Sequence, residues 1–75
     1  MKEILVIQEG GLIIGVASDQ SKAVVMIGDY YGEDCEIVEV IDVRDSGIEF
    51  ICKVYDSTDK YTTTVTVHYF TIDEI

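Results

Sequence analysis

His68 is the only histidine in this 75-residue chain, and Cys35 and Cys52 are its only thiols. A cysteine nucleophile needs a positive neighbourhood that lowers its pKa, together with a base and a group that orients the base. Cys35 stands between Asp34 and Glu36, which push a thiol pKa up, and Cys52 falls in an apolar register as a small core residue. His68 falls in the polar register of a strand, where a solvent-facing or cross-strand role accounts for it. The two cysteines form no Cys-x-x-Cys pair, so a zinc site would need ligands scattered over several strands.

The run from Asp42 to Gly47 resembles a calcium loop only in passing. It lacks the alternating acidic ligands and the closing bidentate Glu. Asp56-Ser57-Thr58-Asp59 reads as a turn with at most weak millimolar divalent binding. Gly10-Gly11 and Gly15 make no phosphate loop, because no Gly-Lys-Ser/Thr follows them. Paired carboxylates for glycoside chemistry would need a concavity that a chain of this size hardly provides. The expectation is a protein without catalytic residues, metal or cofactor, with an enzyme using His68 and a cysteine as the remote alternative.

Any function then depends on the elements and the surface they present. Glu3 to Gln8 is β-branched and apolar on both sides, which predicts a central strand covered on both faces. Glu9-Gly10-Gly11 predicts a tight hairpin into Leu12–Ala17. Ser18 and Asp19 are both good N-caps. Apolar residues then recur at three- and four-residue spacing up to Gly32, predicting a helix of about three turns, with a strand from Ala23 to Ile27 as the alternative. Strands are predicted over Cys35–Val43, Ile48–Tyr55 and Tyr61–Ile72, joined by the turn formers of 44–47 and 56–60. In the middle strand Ile48, Phe50, Cys52 and Val54 should share one face, with Glu49, Ile51, Lys53 and Tyr55 on the other. In the last, Val65, Val67 and Tyr69 should oppose Thr62, Thr64, Thr66 and His68. The fold class is α+β, order ββαβββ, an antiparallel sheet with one helix packed on one face. Whether the first hairpin and the meander share a sheet is open at this stage.

Length allows one domain, 1–75, and one core, which in so small a chain rarely contributes more than about 3–5 kcal/mol net. Two cysteines are too few for a disulfide scaffold, and the longest apolar run, Ile4 to Ile7, is too short for a bilayer or a signal peptide. The expected location is cytoplasmic.

Charge is the most informative quantity. Five Lys and Arg against fifteen Asp and Glu give a formal net charge of −10. The basic residues Lys2, Lys22, Arg44, Lys53 and Lys60 are scattered singly, which argues against direct binding of nucleic acid or of anionic membranes. From Asp29 to Glu49 eight carboxylates face Arg44 alone. As a solvated face this stretch maintains solubility. As a docking face it would be steered to a basic groove, and alternate strand carboxylates at a pitch of about 6.6 Å can imitate a nucleic-acid backbone. On a regular strand, however, Glu36 and Asp42 point opposite to Glu39. The candidate contact set is Tyr30, Tyr31, Glu33, Asp34, Glu36, Glu39, Asp42 and Asp45, with tyrosines as anchors and carboxylates as steering charges. A second candidate surface is the wet face of the meander, where Ile51 and Tyr55 sit among threonines. A homodimer through that face, or through a strand edge at Tyr61 to Phe70, would add the burial a small core lacks.

The stretch from Gly15-Val16-Ala17-Ser18-Asp19 through Gln20-Ser21-Lys22-Ala23, where a strand ending in Gly-Val meets a capped helix, resembles small acidic accessory proteins of phages and low-GC bacteria. The ending Tyr69-Phe70-Thr71-Ile72-Asp73-Glu74-Ile75 is similar to the close of such proteins. The resemblance implies an accessory protein that binds and blocks host defence machinery, including nucleic-acid-guided nucleases, in the host cytoplasm. It assigns no functional residue. The resulting expectation is a phage-type inhibitor that occludes a basic, nucleic-acid-binding surface of a host protein. The alternative is a non-catalytic homodimeric assembly module whose acid serves solubility.

Overall fold

A computed structural model describes residues 2–73; the last two residues of the closing stretch 69–75 lie outside the described residues. The elements follow the order ββαβββ: β1 (Lys2–Glu9), β2 (Leu12–Ala17), α1 (Gln20–Tyr31), β3 (Cys35–Asp45), β4 (Ile48–Asp56) and β5 (Tyr61–Ile72). All five strands join one antiparallel sheet in the order β2-β1-β5-β4-β3, so the first hairpin and the meander are continuous.

The local chemistry explains the breaks. Gly10 takes the positive φ of the first hairpin, and Ser46 and Gly47 both take positive φ between β3 and β4, as a two-residue type I′ turn requires. Asp19 caps α1, its Oδ1 accepting from the Lys22 backbone N–H at 2.9 Å. Gly32, at φ 83°, ends the helix with its N–H donating to the Gly28 carbonyl. Val24, Val25 and Ile27 are poor helix formers, so packing holds the segment helical: Ala23 and Ile27 are fully buried.

Leu5, Ile7, Val65, Val67, Phe50, Cys52 and Val54 project from the covered face of the sheet and form the core with Ala17, Ala23 and Ile27. α1 bridges the two sheet edges. Met26 rests on Gly15 of β2, so closely that a Cβ there would meet the Met26 Cε at 2.6 Å, while Gln20 Nε2 donates to Asp42 Oδ1 of β3 at 3.2 Å.

The uncovered face differs from the expected one. β1 lies inside the sheet, between β2 and β5, but helix covers only its Leu5 and Ile7 side, which corrects the expectation of cover on both faces; Ile4 and Val6 point away from the helix and are half-buried by neighbouring strands. β5 also lies inside the strand order. From Thr66 to His68 it pairs with β1 on one side and β4 on the other, which removes that part of the expected Tyr61–Phe70 edge, whereas Tyr61–Val65 pairs with β4 alone.

Four bulges interrupt the ladders and reassign faces that strict alternation had set. Between Ile48 and Phe50 an extra residue puts Ile48 opposite His68 and Phe50 opposite Val67, so Ile48 leaves the core face. Glu49 instead binds Arg44, which stacks 3.9 Å over the Tyr69 ring on the covered side. A second bulge lies at Ile14, a third at Val38 and a fourth between Asp42 and Asp45.

Candidate functional site

The acidic residues collect at one end of the molecule because two turns dock there. The backbone N–H and hydroxyl of Ser57, in the β4–β5 turn, both donate to the Asp34 carbonyl, at 3.0 and 2.8 Å. Cys35 pairs with Asp56 across the ladder. This brings Asp56 and Asp59 beside Glu33, Asp34 and Glu36, around a shallow hollow of about 210 Å³ lined by Glu33, Asp34, Cys35, Glu36, Tyr55 and Ser57. In 29–36 and 55–61 the one basic residue is Lys60. The pole's electrostatics appear in its thiol: burial pushes the Cys35 pKa up first, and Asp56, Asp34 and Asp59 push it further.

Tyr30 and Tyr31 end α1 just before Glu33 and Asp34, their rings edge to face with centroids 5.1 Å apart. Tyr30 is half exposed and free to act as an anchor. Tyr31 turns inward. Its hydroxyl is buried without a hydrogen-bond partner among the described residues, and burial together with the nearby Glu9 carboxylate raises its pKa well above the usual 10.

The eight-residue contact set therefore divides. Tyr30, Tyr31, Glu33, Asp34 and Glu36 gather at the pole. Glu39 follows on the open face, 3.7 Å from Lys53. The bulge at Val38 brings Glu36 and Glu39 to the same side, because they pair with Tyr55 and Lys53, two residues apart on β4. That corrects the expectation of opposed side chains. Asp42 lies opposite Phe50 on the covered side, held by Gln20, and Asp45 lies at the far end of β3 beside Ser46. With β3 rising about 3.3 Å per residue, Asp45 stands roughly 30 Å from the pole, and one compact surface cannot include all eight.

Asp56 and Asp59 were missed as pole members because no local signal ties the β4–β5 turn to the α1–β3 turn. In sequence they read as turn formers, and they are that too: Asp56 Oδ1 accepts from the N–H groups of Thr58 and Asp59.

The residues with nucleophilic chemistry do not meet. His68 lies on the open face beside Val6 and Ile48, whereas Cys52 is fully buried on the covered face. Burial raises the Cys52 pKa. Cys35 pairs with Asp56, which faces Tyr61, seven residues of β5 or about 23 Å from His68. Among the described residues no group of three His, Cys, Asp or Glu converges to hold a metal ion, and no helix is long and apolar enough to cross a membrane.

No protein-family model, curated protein or solved structure matches this chain.

Proposed function

We propose that this protein is a small acidic interaction module, of the phage-inhibitor or anti-CRISPR type, that works without chemistry. In this reading it occupies a basic, nucleic-acid-binding surface of a host defence protein in the cytoplasm. The observation that carries the reading is the acidic pole: five carboxylates from two docked turns, with Tyr30 as an exposed aromatic anchor and Lys60 as the one local cation. Such a pole steers toward positive potential, and its contacts weaken with salt. The resemblance of the capped helix and closing strand to phage accessory proteins supports the inhibitor class.

The test is capture from a bacterial lysate at about 50 mM and about 500 mM salt, conditions that straddle the range where screening removes exposed charge contacts. The expected result is a nucleic-acid-binding protein held at low salt, released at high salt and displaced by its own nucleic acid. Glu33→Lys with Glu36→Lys should abolish that capture, whereas Asp42→Lys, away from the pole, should leave it. Capture that survives the double reversal, or none at either salt, overturns the reading.

A further inference from the structure

The β2 edge of the sheet is uncharged, apolar and open. From Gly10 to Ser18 the chain carries no charge, and β2 pairs only with β1, leaving its outer row of backbone N–H and C=O groups free to extend a sheet. Side chains on both sides of this edge are apolar and exposed. Ile13 and Val16, 59% and 53% exposed, lie on the open face opposite Gln8 and Val6, while Leu12 lies on the helix side opposite Glu9. On that helix side, Val25 and Met26, with Ser21 and Lys22, line an open apolar hollow of about 370 Å³. Because Met26 rests on Gly15, the hollow borders β2.

We propose that this edge binds a second copy of the chain, β2 pairing antiparallel with its symmetry mate to give one continuous ten-stranded sheet. A two-fold contact requires a patch complementary to itself. β2 provides one: it is a charge-free apolar strand beside a hollow that such a strand's side chains can fill. Charge selects the copy's position. Two molecules of net charge −10 repel wherever carboxylates meet, and the opposite edge, β3, presents Glu36, Glu39, Asp42 and Asp45. At β2 two copies can meet without carboxylates opposed along the strands. The pairing also removes from water the side chains that a small core leaves exposed, and it leaves the acidic turns of each copy free.

The experiment is multi-angle light scattering of the whole chain at about 100 µM, a concentration that populates even a modest, micromolar dimer. The expected mass is twice 8.4 kDa. Ile13→Glu and Val25→Glu, both at exposed positions, should each return it to a single chain with an unchanged far-ultraviolet circular dichroism spectrum. Val38→Glu on the opposite edge should leave the dimer intact. A monomeric wild-type chain overturns the proposal, as does a dimer that survives both β2-side substitutions or dissociates with Val38→Glu. A chain that is monomeric alone and takes up a foreign strand at β2 also overturns it, assigning the edge to another partner.

Discussion

The two edges of this sheet are built on opposite terms. β3 is eleven residues long, bulged at Val38, and carries four carboxylates along its length. β2 has six residues and no charge. A strand edge invites pairing, and charge together with bulges is how proteins discourage it. β3 is protected in that way although Val38, Val40 and Ile41 are exposed along it, whereas β2 has only its shortness and the irregularity at Ile14. The two edges differ in where charge is placed, which the net charge by itself does not reveal.

The strongest way to break this asymmetry is to remove the charge from β3. Glu36→Val with Glu39→Val should make the second edge adhesive, and with β2 already paired each molecule would then have two pairing edges. The expected result is open-ended assembly that sediments within hours at about 100 µM, where the parent remains a small discrete species; a clear solution of unchanged mass would mean that the bulge at Val38 is sufficient protection.

A smaller effect concerns how the end of β3 is anchored. Arg44 reaches across the sheet to Glu3, with bonds of 2.9 and 2.7 Å, contacts Glu49, and stacks on Tyr69, tying β3 to β1, β4 and β5. Its guanidinium holds the Glu3 carboxyl below the usual 4.5. Since the folded-state pKa is depressed, the stabilisation is complete above the unfolded value and is lost as pH falls through the folded one. Arg44→Ala should lower Tm by a few degrees at pH 7 and by progressively less as acid protonates Glu3, read from thermal melts between about pH 7 and pH 2. An equal loss at every pH would assign the effect to the stacking on Tyr69 instead.

The smallest effect is expected at Tyr31, near the end of β1 where the two hairpin strands meet. Its unpartnered hydroxyl is a cost, so Tyr31→Phe should be neutral or stabilising by up to about 1 kcal/mol in urea melts. The raised pKa works in the same direction. Folding holds the phenol neutral, so stability present below the usual 10 is lost as pH rises beyond it, and the phenylalanine variant should lack that part of the alkaline loss. A clear destabilisation at neutral pH would instead reveal a hydrogen bond to Glu9.

Much of this architecture was legible in the residues. The Gly10-Gly11 hairpin, the Asp19 cap, the Gly32 stop and the alternation of β5 are local signals, and each lies where it was read. What escaped was non-local or irregular. A bulge adds one residue to one strand, with no distinctive composition at Glu49 or Val38 to announce it, and everything beyond it changes face. This is why Ile48 and Glu49 exchanged sides and why Glu36 joined Glu39. Strand order is likewise global. Ile4 and Val6 are as apolar as a doubly covered strand requires, but their neighbours, and not a second layer, provide their burial. The acidic pole was half visible: Glu33 to Glu36 stood out as a charge run, while Asp56 and Asp59 joined it only through the contact of Ser57 with Asp34.

The central place of β5 has a kinetic consequence. Lys2 pairs with Ile72 and Val6 with His68, so the first strand waits for the last, and the N-terminal hairpin with its helix has only half of the core until residues 61–72 arrive to join it to the meander. Bringing such distant segments together costs loop entropy before any contact offsets it, which places folding in the slower range for a chain of this size. Until that closure, β1 and β4 each present a bare edge, and self-association in that interval competes directly with the arrival of the strand that separates them.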